Sequence, residues 1–341
     1  MSLGLAAATA DPARSPRLGF VGVGWIGRRR MEALHACGPG EVAVVADARP
    51  EAAAEAAAAV GCDAVCGSLD EALRHDLDGV VIATPSGLHP EQIRRALAAG
   101  VPVFCQKPLA RTAAEARAVV DAARAADRLL GVDLSYRRAG AFESAAAAVR
   151  GGDLGRVYAA QAAFHNAYGP DASWSTDAEL SGGGCLMDLG IHLVDLVLWT
   201  LGWPETGSVD SRLYRLGRRL DRDPDVVEDF AFATFDAGDA AVALGCSWFL
   251  DAGCDAVISA AFYGTDGSVE VRNVGGSFYD FKAELHRGTR TEMLAEPPDA
   301  WGGRTLIDWA QRLCTDPGFD EEAERTVRVA ALLDAMYGRS G

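Results

Sequence analysis

Three ionisable residues fall at helical spacing inside one apolar run, residues 185–199. Asp188, His192 and Asp195 are four and three residues apart, so on a regular α-helix they share one narrow stripe between aliphatic and aromatic faces. A helix that is apolar nearly all round should be buried, and burying an ionisable group costs free energy unless it is paired or takes part in chemistry. We expect the active site along this stripe. The alternative is that Asp188 and His192 only hydrogen-bond neighbours in the core.

A glycine-rich turn near the N-terminus predicts where a nucleotide would bind. Residues 22–27 follow a predicted strand and open a predicted helix, and the pattern G-x-G-x-x-G allows close approach of the backbone to a pyrophosphate at the helix N-terminus. The next strand ends at Asp47, where a carboxylate would bind the adenosine ribose. Asp47 favours NAD, although Arg49 leaves NADP possible. The members of the turn expected at the cofactor are Gly22, Gly24, Trp25, Ile26 and Gly27.

Two further strand ends deliver polar residues to the same region. One predicted strand runs into Thr84 and Pro85, with His89 four residues later, and the next runs into Gln106 and Lys107. Because the carboxyl ends of parallel strands meet over the cofactor crevice, we expect all five residues beside the cofactor.

The elements that position these residues follow from the periodicity. Apolar, β-branched runs alternate with Ala-rich helices up to residue 133, which specifies an α/β, Rossmann-type, doubly wound parallel sheet. Alternating strands and turn sequences then predict a C-terminal α+β domain with a largely antiparallel open sheet. The predicted parts are a flexible leader (1–16), an NAD(P)-binding domain (17–133), a substrate-binding and oligomerisation domain (134–318) and a C-terminal helix that packs back on the first domain (319–341).

Composition excludes several classes of protein. The 341 residues are 49% hydrophobic and 23% charged, with a net charge of −16, which argues against nucleic acid or an anionic membrane as a partner. No run reaches the roughly 18 uninterrupted apolar residues of a membrane span, and the N-terminus lacks the basic start of a signal peptide. The eight cysteines show no metal-site spacing, so we expect no metal and no disulfide, and a cytoplasmic location.

Taken together and in this order, the motifs resemble those of the Gfo/Idh/MocA family of oxidoreductases, named for glucose-fructose oxidoreductase and inositol dehydrogenase. The resemblance implies an NAD(P)-dependent dehydrogenase in which Lys107, Asp188 and His192 surround the reacting carbon of the substrate. It also implies a homodimer or homotetramer formed through the open sheet of the second domain. The matching segments are the glycine turn, residues 84–89, residues 106–108, residues 136–137, residues 153–157 and residues 188–192.

The expected chemistry is hydride transfer between an alcohol carbon and the nicotinamide. His192 suits the role of general base at neutral pH, Asp188 would hold the substrate or tune the imidazole, and Lys107 would donate to the oxygen as negative charge develops. Alternatively, Lys107 carries the proton and His192 orients the substrate. Further substrate contacts are expected from Tyr136, Arg137 and Asn166, whereas Asp195 is expected to anchor the helix.

One position departs from the family pattern, because Gln106 stands where glutamate is usual. An amide can hydrogen-bond a ribose but supplies no negative charge beside Lys107. We therefore expect Lys107 to favour its neutral form more than it would beside a carboxylate.

The function predicted from the sequence is oxidation or reduction at a secondary alcohol or ketone of a cyclic polyol, sugar or sugar derivative, similar to inositol 2-dehydrogenase. The absence of an arginine cluster favours a neutral polyol. Alternatives within the family are a sugar-nucleotide ketoreductase and a dihydrodiol dehydrogenase. From another class, the alternative is a cofactor-sensing binding protein without turnover.

Overall fold

The structure is a computed structural model that describes residues 15–38, 40–220 and 226–339. Of the predicted leader, residues 1–16, only the last two positions lie within the described residues.

The first sheet is parallel throughout and confirms the predicted Rossmann-type arrangement. Its strands are β1 Arg17–Val21, β2 Glu41–Ala46, β3 Val65–Cys66, β4 Gly79–Ile82, β5 Val103–Cys105 and β6 Leu130–Val132. The helices that cover it are α1 Trp25–Cys37, α2 Pro50–Val60, α3 Leu69–Ala72, α4 His89–Ala98 and α5 Ala113–Ala126. The strands follow the spatial order β3-β2-β1-β4-β5-β6. The central strands β1, β4 and β5 are mostly apolar and buried because helices lie on both faces of the sheet.

The strand order reverses beside β1, and this reversal creates a crevice. Val21 at the end of β1 pairs with Ala46 of β2 on one side and with Ile82 of β4 on the other. The chain leaves these ends in opposite directions across the sheet, and ligands of open α/β sheets bind at such a point. The glycine turn, residues 84–89 and Lys107 all follow strands that end here.

The second sheet is mixed and largely antiparallel, as predicted. Its strands are β7 Val157–Asn166, β8 Thr206–Arg215, β9 Arg218–Arg219, β10 Phe230–Ala237, β11 Ala240–Ser247, β12 Ala256–Gly264, β13 Ser268–Asn273, β14 Phe281–Arg287 and β15 Arg290–Ala295. They follow the order β15-β14-β13-β12-β7-β11-β10-β8-β9, and β7 and β11 pair in parallel. Alternate residues of the central strands are buried, so one face packs on helices and the other is open.

The helices of the second domain are α6 Gly140–Arg150, the short α7 Ala178–Ser181 and α8 Ile191–Thr200. Of these, α6 and α8 pack on the covered face of its sheet. Residues 185–199 do not form one regular α-helix, so that prediction is wrong. Leu186–Gly190 is a π-helical turn, and α8 continues from it. The wider turn changes the direction in which later side chains point relative to earlier ones.

Two C-terminal helices return to the first sheet. The helix α9 Arg304–Leu313 places the ring of Trp309 5.6 Å from that of Phe104 on β5. Gly79 and Gly131 make room for this ring, since a Cβ at either position would lie 2.6 or 2.7 Å from it. The last helix, α10 Glu324–Tyr337, packs on α5, α8 and β8. The predicted boundaries of the parts stay predictions, but α9 belongs by contact to the first sheet although it falls inside residues 134–318.

One stretch of the described residues, Ala178–Thr200, is long and apolar enough to cross a membrane if judged by length and composition alone. Of its most apolar window, 83% is buried inside the protein. A core helix passes the same test, so this is weak evidence for a membrane span.

Candidate active site

Lys107 and Asp188 meet at the crevice. Lys107 follows β5 of the first sheet, and Asp188 lies in the π-helical turn of the second domain. The Lys107 ammonium donates to Oδ1 of Asp188 at 2.6 Å and to its backbone carbonyl oxygen at 2.7 Å. The indole N–H of Trp248 donates to the other carboxylate oxygen at 3.1 Å. The two charged side chains are 18% and 37% exposed, so a ligand can reach them. A carboxylate thus lies beside Lys107 although position 106 carries an amide, and the expected effect of Gln106 on Lys107 stays a prediction.

His192 lies close to this pair in a buried place. Its ring is packed against the ring of Tyr136, with centroids 4.8 Å apart, and the residue is 7% exposed. Burial lowers the pKa of His192 well below its usual value, and the positive charges of Lys107 and Arg30 lower it further. Among the described residues, none hydrogen-bonds to the imidazole. His192 is therefore neutral at pH 7, with one ring nitrogen available to accept a proton and the other to donate a hydrogen bond.

Asp195 does not join the stripe that regular helical spacing predicted. Its carboxylate accepts two hydrogen bonds from the guanidinium of Arg137, one of them 2.7 Å long from Nε, and its side chain is 2% exposed. Arg137 also donates to Glu322 at 3.1 Å. Asp195 has the anchoring contact that we expected. The prediction that Arg137 contacts the substrate is not supported, because carboxylates of the protein engage its guanidinium.

Of the other two expected substrate contacts, Tyr136 lies beside the site, and Asn166 follows by two residues Phe164, whose ring lies 6.2 Å from that of His192. Tyr136 touches His192, and burial raises the pKa of its hydroxyl. Asn166 ends β7, and its side-chain oxygen is buried without a hydrogen-bond partner among the described residues. An unsatisfied buried oxygen costs free energy, which a bound hydroxyl group would recover. Both roles stay predictions.

A cluster of hydrogen bonds fixes the π-helical turn that carries Asp188. The carboxylate of Glu228 accepts the backbone N–H groups of Gly184 and Leu186, both at 2.9 Å. It also accepts the hydroxyl of Tyr337 at 2.8 Å, and burial raises the pKa of this carboxyl. A Cβ at Gly184 would lie 1.9 Å from the carbonyl oxygen of Glu228, so only glycine allows this approach.

The glycine turn has the geometry that a dinucleotide requires. Gly22 has φ +85°, which favours glycine, and a Cβ there would lie 2.6 Å from the backbone of Ala83. A Cβ at Gly27 would lie 2.1 Å from the carbonyl oxygen of Gly22. Around Gly24, by contrast, a Cβ would meet no described atom within 4 Å. The turn is therefore closely packed at Gly22 and Gly27 and open at Gly24. It lies at the start of α1, where no side chain caps the first N–H groups of the helix.

Three neighbours complete the cofactor side. Trp25 is 64% exposed at the first position of α1, and Ile26 beside it is half-buried. Asp47 directly follows β2, and its side chain is 12% exposed. Its carboxylate accepts the N–H of Val23 and of Arg49, both at 2.9 Å, and each oxygen keeps a lone pair for a ribose hydroxyl. These positions fit the residues predicted for cofactor binding.

Several polar groups of the loop after β4 make hydrogen bonds within the protein. Both ring nitrogens of His89 lie 2.8 Å from carbonyl oxygens, one of Pro108 and one of Thr84, and the residue is buried. His89 thus ties residues 84–89 to the segment that carries Lys107, and the prediction that it contacts the cofactor is not supported. Thr84 and Pro85 line the crevice end of β4, and the Thr84 hydroxyl lies 2.5 Å from Oε1 of Gln92.

Gln106 is also held by protein groups. Its Nε2 donates to Oδ2 of Asp133, and its Oε1 accepts the N–H of Lys107 at 3.1 Å. A free lone pair on Oε1 is compatible with a ribose contact, which stays a prediction.

The sequence analysis missed Trp248, Glu228, Tyr337, Arg30 and Asp133. Each lies far along the chain from the residue it supports, so no local spacing signals the contact. The arrangement as a whole fits a nicotinamide dinucleotide, whose adenosine half the open glycine turn and Asp47 would hold. That Lys107, Asp188 and His192 face its reactive half stays a prediction.

Two family models match the sequence. Residues 16–134 match the oxidoreductase family GFO_IDH_MocA with its NAD-binding Rossmann fold, and residues 142–270 match the GFO/IDH/MocA C-terminal domain. Together these ranges make up well over half of the chain.

Curated relatives and a solved structure agree with these matches. A D-glucoside 3-dehydrogenase of Escherichia coli (strain K12) is 35% identical over 139 residues, 40% of this chain and 40% of the relative. An inositol 2-dehydrogenase of Rhizobium meliloti (strain 1021) is 30% identical over 186 residues, 54% of this chain and 55% of the relative. The chain thus spans 40% and 55% of the lengths of these two relatives. The crystal structure of GenD2 from gentamicin A biosynthesis in complex with NAD is 26% identical, with a TM-score of 0.80 over 98% of this chain and 97% of that chain.

Proposed function

Because this chain belongs to the Gfo/Idh/MocA family of oxidoreductases, we propose that it is an NAD-dependent dehydrogenase that interconverts a secondary hydroxyl group and a ketone on a cyclic polyol, sugar or sugar derivative. The observation that carries this proposal is the ion pair of Lys107 and Asp188 beside the neutral imidazole of His192. A proton donor, a hydrogen-bond acceptor and a proton acceptor thus lie in the same part of the molecule, beside the expected cofactor.

The three side chains divide the work of moving a proton. His192 is neutral and free, so it takes the hydroxyl proton of the substrate. The ammonium of Lys107, held by Asp188, donates to the substrate oxygen and stabilises the negative charge that develops there. Asp188 keeps this ammonium in place and accepts from a neighbouring hydroxyl group. A bound nicotinamide supplies the hydride chemistry. The alternative, in which Lys107 carries the proton, predicts that replacing His192 leaves the pH dependence of turnover unchanged.

Asp47 supports NAD over NADP. Its carboxylate is fixed at the end of β2 by two backbone N–H groups, at the position where a 2′-phosphate would sit. The guanidinium of Arg49 lies 3.6 Å from this carboxylate and is 70% exposed. It therefore offers little fixed positive charge to a phosphate.

A neutral, hydroxyl-rich substrate fits the polar groups of the site. The free acceptor of Asn166 and the carboxylate of Asp188 suit hydroxyl donors. The guanidinium of Arg137 is occupied by Asp195 and Glu322, and that of Arg30 by Asp133. We therefore favour an inositol or a simple glycoside over a sugar nucleotide.

The test is a panel of inositols, methyl glycosides and 1,5-anhydro sugars screened for NADH formation by absorbance, with NADP in parallel. A nucleotide sugar and a dihydrodiol serve as the other arms. We expect turnover with at least one neutral polyol or glycoside, and loss of at least about 1,000-fold in kcat for Lys107→Met. NADH binding without turnover on any substrate would contradict the proposal and support a cofactor-sensing protein.

We also propose that copies of the chain associate through the open face of the second sheet. Phe232 and Tyr158 are 46% and 49% exposed there, among small side chains such as Ala159 and Ala241. Exposed aromatic side chains on an uncovered sheet face are typical of an interface. Light scattering after gel filtration should give a dimer or tetramer for the native chain and a smaller species for Phe232→Glu. Leu216→Glu, at an exposed turn between β8 and β9, is the matched control; a monomeric native chain would contradict the proposal.

A further inference from the structure

A buried network links the cofactor helix to the segment that carries Lys107. Arg30 lies on α1, three residues after the last glycine of the turn, and its Nε donates to Oδ2 of Asp133 at 2.6 Å. A second nitrogen of the guanidinium donates to the hydroxyl of Ser135 at 3.2 Å. The side chain of Asp133 is 0% exposed and that of Arg30 is 11% exposed. An ion pair this deeply buried is seldom kept for stability alone, because desolvation offsets much of its attraction.

The network fixes the orientation of the Gln106 amide. Its nitrogen donates to the same Oδ2 of Asp133 that Arg30 binds, and its oxygen accepts the backbone N–H of Lys107. A carboxylate at position 106 would face the carboxylate of Asp133 with no proton between them. The Gln106 amide therefore complements the Asp133 carboxylate. The amide supplies the hydrogen-bond donor, and the carboxylate supplies the negative charge.

We propose that Arg30, Asp133 and Gln106 are positioning residues for Lys107; this proposal rests on the dehydrogenase function proposed above. Asp133 supplies the negative charge of this network. A carboxylate at position 106 could supply that charge equally well. The chain of contacts runs from α1 through Asp133 and Gln106 to the backbone of Lys107. Its ammonium then reaches Asp188, so movement of α1 is transmitted to the catalytic group.

Two further observations agree with a working network rather than a purely structural one. Oδ1 of Asp133 is buried without a hydrogen-bond partner among the described residues, so the carboxylate is not fully used by its present contacts. The charge of Arg30 also reaches His192, whose pKa it helps to lower.

The decisive experiment exchanges the two groups. Gln106→Glu buries a second carboxylate against Asp133, so we expect a melting temperature lower by roughly 5 °C. We expect kcat to fall by at least about 10-fold, because Lys107 loses its fixed backbone position. Gln106→Glu combined with Asp133→Asn restores one charge and one amide with their places exchanged. The double variant should return to within about threefold of native kcat and about 2 °C of native melting temperature, since the two changes are coupled.

Gln311→Glu on the exposed side of α9 makes the same chemical change away from the network and should alter neither value. A Gln106→Glu protein that melts and turns over like the native one would overturn the network, as would a double variant no better than the single one. Recovery of the melting temperature without recovery of kcat would leave a structural contact and overturn the positioning role. Melting needs no substrate, so this part of the cycle still gives an answer if the chain shows no dehydrogenase activity at all.

Discussion

The hydroxyl of Tyr337 lies 2.8 Å from Oε1 of Glu228 and also accepts the backbone N–H of Met187 at 3.0 Å. The last residue of α10 is thus hydrogen-bonded to the turn that carries Asp188. A Cβ at Gly183 would lie 2.2 Å from the same hydroxyl, so the glycine there makes the contact possible. The C-terminal end of the chain in this way determines where the carboxylate that holds Lys107 is found.

Tyr337→Phe should therefore lower kcat even though residue 337 is not expected to contact the substrate. The variant leaves Glu228 short of one donor and Met187 short of one acceptor, which costs roughly 1 to 3 kcal/mol of folding free energy. We expect kcat to fall by about 10-fold, with the KM for the cofactor unchanged, because Asp188 and not the nucleotide site is displaced. Steady-state kinetics and thermal melting measure both effects. Tyr214→Phe is the control, since no hydrogen bond of its hydroxyl to another described residue is present; equal losses in the two variants would contradict the role of Tyr337.

The pH dependence of kcat/KM should report on His192. Its lowered pKa means that the imidazole stays neutral as pH falls through 6.5, so activity should decline only in more acidic solution. Arg30→Met removes a positive charge that lowers this pKa, so the decline should move to higher pH, whereas Arg30→Lys should keep the native profile. His192→Asn should abolish the acidic decline along with most of the activity. An acidic limb that does not move in Arg30→Met would show that another group controls it.

Asp47→Asn should alter the choice of cofactor. The amide keeps an oxygen for the N–H of Val23 but removes the charge that repels a 2′-phosphate. We expect the ratio of kcat/KM for NADP to that for NAD to rise by at least about 10-fold, which corresponds to roughly 1.4 kcal/mol. The exposed Asp63→Asn, on the loop before β3, should leave the ratio unchanged. If Asp47→Asn also leaves it unchanged, Asp47 does not select the cofactor.

Replacing Arg137 and replacing Asn166 should have different effects on the melting temperature and on the KM for the substrate. Arg137→Met leaves the carboxylate of Asp195 buried and unpaired, which costs about 3 to 5 kcal/mol, so the protein should melt well below the native temperature. Asn166→Ala removes an oxygen that has no hydrogen-bond partner among the described residues, so the melting temperature should hardly change while the KM for the substrate rises by about 10-fold. A raised KM in Arg137→Met without lower stability would restore Arg137 as a substrate contact.

The first sheet and the glycine turn could be predicted because their signals are local. Continuous apolar runs mark strands covered on both faces, and the glycines at positions 22 and 27 meet backbone within a few residues or across one strand pair. Lys107 and Asp188 were expected in one site, and they do meet. Lys107 lies just beyond a predicted strand, and Asp188 lies inside the apolar run of residues 185–199.

The features that the sequence did not indicate depend on contacts between distant residues. The π-helical turn depends on Glu228 and Tyr337, which lie 40 and more positions away, and no spacing within residues 185–199 indicates it. Arg137 is predicted from the sequence to contact the substrate, yet its guanidinium donates to Asp195. His89 was expected at the cofactor, but backbone carbonyl groups take both of its ring nitrogens.

The position of Trp309 bears on how the protein can be cut or recombined. Its indole fills the space left over two glycines of the parallel sheet, so a fragment that stops after β6 would expose Phe104 and a depression where the ring belongs. A chimaera that exchanges nucleotide halves between relatives must therefore carry Arg304–Leu313 with the amino-terminal portion. Two crossover sites are needed where the linear order of the sequence suggests one.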